Sequence, residues 1–146
     1  MLTTPPVTDV ASHLRLVVAR TARRLRQEAG ADLSPSLTSA LASIDRHGPL
    51  TPSELAGLER VQRPTATRLL GRLVELGLVE RAADPADRRS ALITASPAGR
   101  ALLHRLRTRK NQYLARRLAT LAPDEVATLD RAAAILERML DAEDRR

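Results

Sequence analysis

Apolar residues recur along this chain at helical spacing, interrupted once by a shorter, strand-like stretch, and prolines and glycines mark the changes. Val10, Leu14, Val17, Val18 and Leu25 line one helical face, which predicts a first helix from a cap at Asp9 to about Gly30, preceded by a loose arm over residues 1–8. Ser34-Pro35 is a cap followed by proline at the first helical position, and Leu37, Leu41 and Ile44 carry a second helix to Gly48. Thr51-Pro52-Ser53-Glu54 reads as a capping box opening a short helix through Leu55 and Leu58. Leu69, Leu70, Leu73, Val74 and Leu76 belong to a helix that starts near Gln62 and stops at Gly77, a residue type that tolerates a left-handed C-cap. Leu78 and Val79 then open a strand closed by Asp84-Pro85, and Ala91-Leu92-Ile93-Thr94 runs back as its partner. Ser96-Pro97 repeats the cap-plus-proline device ahead of a long helix through Leu102, Leu103, Leu106, Tyr113, Leu114 and Leu118. Pro123-Asp124-Glu125 opens the last helix, with Val126, Leu129, Ala133, Leu136 and Leu140 three and four apart. The pattern predicts a mainly α protein with a small β-hairpin.

A length of 146 residues is one domain's worth of chain, so residues 1–146 are expected to form a single domain. The absence of cysteine excludes disulfides, thiolate metal sites and cysteine-based peroxide sensing. No apolar run approaches the ~18 residues that span a membrane. The start, MLTTPPVTDV, lacks the basic and apolar regions of a signal peptide, which makes a cytoplasmic protein with no membrane partner the expectation. No cofactor or metal is called for either. His13, His47 and His104 are far apart and without ligand spacing, and the chain has no glycine-rich phosphate loop or catalytic cluster, so it is not expected to be an enzyme.

A formal charge of +7 points to a polyanionic partner. All of the 24 basic residues except Lys110 are arginines, a bias that a GC-rich genome also produces, so the distribution says more than the total. Residues 100–117 hold seven basic residues and no acid, whereas residues 118–146 hold seven acids and four arginines. One tyrosine, with no tryptophan or phenylalanine, leaves no stacking platform for single strands or RNA and turns the charge toward duplex DNA.

Two stretches carry chemistry suited to that partner. Gln62, Arg63, Pro64, Thr65, Thr67 and Arg68 occupy the first turns of a helix; there arginine pairs with guanine, glutamine with adenine, and threonine meets phosphate or a thymine methyl. Asp87, Arg88 and Arg89 form a hairpin tip, and a guanidinium is drawn to the negative potential of a narrow minor groove. Thr51 and Ser53 open a helix whose first amides can hold a phosphate, although Thr51 serves equally as a plain cap. The bland alternatives are a solvated helix face and a surface turn with one local ion pair. The first and last helices carry apolar stripes outside the compact central elements, which need covering. An intramolecular three-helix packing would do so, but a lone recognition helix gives limited affinity, and paired recognition helices on half-sites are the usual solution.

Arg63-Pro64-Thr65 with Thr67-Arg68, Gly77-Leu78-Val79-Glu80-Arg81, Asp84-Pro85-Ala86-Asp87-Arg88-Arg89 and Ser96-Pro97-Ala98-Gly99 together resemble the MarR (multiple antibiotic resistance regulator) family of bacterial transcription regulators, over nearly the whole chain. The resemblance implies a winged helix-turn-helix over 34–96, with N- and C-terminal dimerisation helices at 9–30 and 97–143. It further implies a homodimeric repressor on a palindromic double-stranded operator, with Arg89 in the minor groove, Asp87 bonding it and Arg88 on phosphate. Many relatives release DNA on binding a small aromatic or phenolic ligand; His13, Arg20, Arg46 and Tyr113 would line such a site. Two positions depart from the pattern: Ala95 stands where a leucine usually ends the second wing strand, and Ser96 where a threonine usually caps the next helix. The alternatives are a constitutive or architectural DNA binder with no effector, and a winged-helix protein-interaction module.

Overall fold

Proline stands at the cap or within the first two positions of each of the six helices found among the described residues. The first amides of a helix have no intrahelical acceptor, so proline's missing N–H costs nothing there and its fixed φ favours the turn. The computed structural model describes residues 3–145. Its elements run α1 (Val7–Ala29), α2 (Pro35–His47), α3 (Pro52–Glu59), α4 (Arg63–Glu75), β1 (Val79–Ala83), β2 (Ala91–Ala95), α5 (Pro97–Leu118) and α6 (Pro123–Asp144).

Three of the expected caps form. The hydroxyl oxygens of Ser34, Thr51 and Ser96 accept from the amides of Leu37 (3.3 Å), Glu54 (3.2 Å) and Gly99 (3.0 Å). At α3 only the forward half of the capping box forms, from Thr51 to the Glu54 amide. At α6 the reverse half does, the Glu125 carboxylate accepting from the Ala122 amide at 3.1 Å. The first helix starts earlier than Asp9. The Pro6 carbonyl accepts from the amides of Asp9 and Val10, so α1 begins at Val7, and Asp9 lies in its first turn where its charge favours the dipole. Of the arm expected over 1–8, Met1 and Leu2 lie outside the described residues, 3–6 are irregular, and Val7 and Thr8 are helical.

The chain divides into two compact units, one reaching to Lys110 and the other starting at Asn111. The core lies in the first. Leu41 and Ile44 of α2, Leu55 of α3, Leu70 and Leu73 of α4, and Ile93 of β2 are fully buried, and Leu102, Leu103 and Leu106 of α5 join them. The hairpin pairs Val79 with Ala95 through Ala83 with Ala91, antiparallel. A single residue between α2 and α3 extends it, since Leu50 and Ile93 exchange both backbone hydrogen bonds, at 3.0 and 2.7 Å. Ala95 is buried in this arrangement.

In the second unit, α6 buries no residue: Val126 and Leu136 are half-buried, while Leu129 and Leu140 are 48% and 64% exposed. On α1, Val10, Leu14, Val17 and Val18 are also exposed. No helix among the described residues is long and apolar enough to cross a membrane.

One junction closes the first unit. Gly77 ends α4 with φ +72° and its carbonyl accepts the Ser96 hydroxyl at 2.6 Å, while the Leu78 carbonyl accepts the Ser96 amide at 3.0 Å. One turn on, Gly99 packs so closely that an added Cβ would fall deep inside the van der Waals radius of the Leu78 carbonyl oxygen. Because that obstacle is backbone, Gly99→Ala is expected to destabilise the protein by about 1–3 kcal/mol, the scale of an overpacked core. Gly57→Ala, with nothing within 4 Å of its added methyl, is expected to stabilise it. Urea unfolding of the two variants checks the difference in sign.

Candidate nucleic-acid interface

The segment from α3 to α4 is a tight helix-turn-helix. Arg60 ends α3 in the left-handed region (φ 53°, ψ 45°), and the amides of Arg60 and Val61 bond back to Gly57 and Ala56. Left-handed backbone is a glycine or asparagine habit. An arginine there shows that the surrounding helices impose the turn. Gln62 is extended and caps α4 without a side-chain bond, and Pro64 occupies its first turn. Ala66, Leu70 and Leu73 face the core, so helical periodicity turns Arg63, Pro64, Thr67, Arg68 and Arg72 outward, with Thr65 half-buried at the boundary. Arg72 is engaged by Glu75 at 3.1 Å. The guanidiniums of Arg63 and Arg68 have no hydrogen bond or ion pair among the described residues. The outer face of α4 therefore presents two unpaired cations and two exposed or half-exposed threonine hydroxyls beside the Gln62 amide.

The wing loop, residues 84–90, is built from two aspartate-supported turns. Asp84 Oδ1 accepts from the Ala86 amide at 2.9 Å, and Asp87 Oδ1 accepts from the Arg89 amide at 3.0 Å. The Ser90 amide bonds to the Asp87 carbonyl and the Asp84 amide to the Ser90 carbonyl, closing the loop. Arg89 Nε lies 3.7 Å from the same Asp87 oxygen, and its side chain is 95% exposed. Asp87 thus holds the backbone of Arg89 by a short bond and its side chain only by a loose ion pair. Arg88 is exposed, with no partner among the described residues. Thr51 is half-buried, its oxygen engaged as the α3 cap, and Ser53 is exposed in the first turn of α3.

Three of the seven basic residues in the α5 run are engaged within the fold. Arg100 donates to the Ala95 carbonyl at 2.7 Å, closing the base of the wing. Arg109 donates to the last carbonyl of α1, that of Ala29, at 2.8 Å and pairs with Asp32 at 2.9 Å. Arg107 lies 3.8 Å from Asp45.

The helices and the two-stranded antiparallel hairpin together match the arrangement of known winged-helix structures. The MarR family model matches residues 33–91. An HTH-type transcriptional regulator of Mycobacterium tuberculosis is 38% identical over 133 residues, 90% of this chain and 93% of the relative. The multiple antibiotic resistance protein MarR of Salmonella typhimurium is 36% identical over 100 residues, 68% of this chain and 69% of its own length. The chain belongs to the MarR family. The solved structure of a transcriptional regulator protein described as putative, from Pseudomonas aeruginosa, superimposes with a TM-score of 0.82 at 38% identity, over 93% of this chain and 98% of that one. As a MarR-family winged helix the protein is a DNA-binding transcriptional regulator.

Between α1, α2 and α5 of the first unit lies a cavity of about 730 Å³. Leu25, Leu33, Ala42 and Leu106 give it aliphatic walls; Arg26 and Lys110 supply positive charge, and Ser39 a hydroxyl. Of the four residues expected around a ligand, His13 and Arg20 are exposed on α1 and do not line this cavity. Arg46 borders a smaller polar cleft with His47 and Arg107, and Tyr113 is half-buried in the second unit. Sequence reading passed over Arg26 and Lys110, for which only their place on helices flanking the α1–α2 loop offered a signal. It also passed over Glu59, whose partners are 16 and 20 residues away.

Proposed function

We propose that this MarR-family regulator is a homodimeric repressor that reads a palindromic operator with paired α4 helices and wings. The observation that carries the DNA reading is the base-competent outer face of α4, where Arg63 and Arg68 are unpaired among the described residues, next to a wing tip with an unpaired Arg88 and an Arg89 held only by a loose ion pair to Asp87. In this reading Arg63 pairs with a guanine, Gln62 reads adenine, and Thr65, Thr67 and Arg68 meet neighbouring bases and phosphates beside Pro64. Arg89 enters the minor groove, Arg88 meets phosphate, and Thr51 and Ser53 at the start of α3 hold a further phosphate. The dimer is supported by the exposed apolar residues of α1 and α6, which a single chain leaves in water. Release by a small acid is supported by the aliphatic cavity with Arg26 and Lys110, whose charges would hold a carboxylate.

Sedimentation at micromolar concentration is expected to show a dimer. Each buried leucine contributes roughly 1.5–3 kcal/mol, so replacing Leu129 and Leu136 together with Asp is expected to shift the protein to monomer; a monomeric wild type would overturn the dimer reading.

Selection of duplexes from a random pool, followed by binding measurements, tests the reading of sequence. Arg63→Ala is expected to relax discrimination at one operator position and to cost about 1–3 kcal/mol on the selected duplex. Arg88→Ala is expected to weaken selected and random DNA alike and to lower the salt slope by roughly 1 per subunit. Equal losses on both kinds of DNA for both variants would favour an architectural binder.

The wing makes a separate expectation, because Asp87 Oδ1 engages both the amide and the side chain of Arg89. Asp87→Ala removes the acceptor as well as the charge, and is expected to bind the selected duplex more weakly by about 1 kcal/mol at physiological salt. Asp87→Asn keeps the acceptor and removes a negative charge near phosphate, so it is expected to bind at least as tightly as wild type. Tighter binding by the alanine variant, with fold and dimer intact, would confine Asp87 to electrostatic repulsion of DNA.

A further inference from the structure

The last residue of α3, Glu59, is placed where electrostatics disfavours it. Its carboxylate sits at the negative end of a helix dipole, and no cation pairs with it among the described residues. Two hydroxyls from α2 hold it instead. Ser39 Oγ donates to Oε2 at 2.7 Å, and Ser43 Oγ, one turn further along α2, donates to Oε1. Both carboxylate oxygens are thus tied to one face of one helix. Only Arg60, Val61 and Gln62 separate this clamp from the first residue of α4, and Arg60 is in the left-handed conformation. The fold has other means of holding these helices, since Leu41, Leu55, Leu70 and Leu73 are buried between them.

We infer that Glu59, gripped by Ser39 and Ser43, is a positioning residue that fixes how the recognition helix is presented to DNA; the inference rests on the DNA-reading function proposed above. The hydrophobic contacts of α2, α3 and α4 are non-directional and hold the helices together over a range of small rotations. Two charge-assisted hydrogen bonds to a single carboxylate are directional and remove that freedom at the point where α3 hands over to the turn. Base-edge hydrogen bonds need the α4 side chains placed within fractions of an ångström, whereas phosphate contacts tolerate a loose helix. Opening the clamp therefore removes sequence discrimination while leaving the non-specific affinity in place. Ser39 also lines the α1–α2–α5 cavity, and a serine hydroxyl has one proton to donate. An acceptor in the cavity that takes this proton takes it from Glu59, which gives the cavity a direct connection to the turn.

The test uses a duplex selected by the wild-type dimer from a random pool, with a scrambled duplex of the same composition as reference. Ser39→Ala/Ser43→Ala changes no charge and introduces better helix formers, so thermal stability is expected to hold within a few degrees. Its affinity for the selected duplex is expected to fall about tenfold, with affinity for the scrambled duplex and the salt slope unchanged. Ser39→Thr/Ser43→Thr, which keeps both hydroxyls, is expected to restore the ratio between the two duplexes. An alanine variant with the wild-type ratio would overturn the inference, as would one that loses both affinities together with thermal stability, the signature of a purely structural bond. A wild type that selects no sequence would instead remove the DNA-reading function on which the inference stands.

Discussion

The first unit depends on one crossing, where the start of α5 passes over the end of α4. Ser96 contributes three bonds to it: its amide to the Leu78 carbonyl, its hydroxyl to the Gly77 carbonyl, and its oxygen as acceptor for the Gly99 amide. Ser96 is 5% exposed, so these are bonds made largely away from water, where leaving a polar group unpaired is costly. Gly99 allows the helix to come close enough to make them. From this point the wing departs and returns, and Arg100 closes it by reaching back to the Ala95 carbonyl. The position of the wing relative to α4 is therefore a property of a buried hydrogen-bond node, and the exposed loop at its tip has only to order itself.

That division of labour clarifies the charge. The chain's excess of arginine invites the view that its basic segments all face DNA, yet Arg72, Arg100, Arg107 and Arg109 are each engaged by a carbonyl or carboxylate of the protein. The guanidiniums without such partners include Arg63 and Arg68 on α4 and Arg88 at the wing tip. Net charge brings a protein to a polyanion from a distance, and the unpaired groups decide how it sits once there.

The signals legible in the sequence were those that act within four residues. Ser34, Thr51 and Ser96 cap as their spacing to the following amides requires, and Gly77 takes the left-handed conformation. The hairpin forms within one residue of the expected bounds, Val79 in place of Leu78 opening β1 and Ala95 in place of Thr94 ending β2. The outward face of α4 was legible too, because Ala66, Leu70 and Leu73 fix which side is inside. What remained hidden depends on partners distant in sequence. The bridge of Leu50 to Ile93 involves a single residue with no period to detect. The left-handed turn falls on Arg60, a residue type without that preference, and the bonds of Glu59 to Ser39 and Ser43 join separate helices. The start of α1 was displaced because Pro6 supplies the first acceptor carbonyl ahead of Asp9, two candidate starts that local propensity does not separate.

Tyr113 is the one aromatic side chain of the chain, placed half-buried in α5 within the second unit. With no tryptophan to receive its excitation and no second tyrosine to blur its origin, its ultraviolet emission reports on a single turn of one helix. The DNA-binding lobe is by the same token optically silent. A tryptophan introduced into the wing or α4 would shine against a dark background, and an aromatic compound bound to the protein would bring the only other near-ultraviolet chromophore into it. The composition that removes stacking from this protein's chemistry thus makes the molecule its own spectroscopic blank.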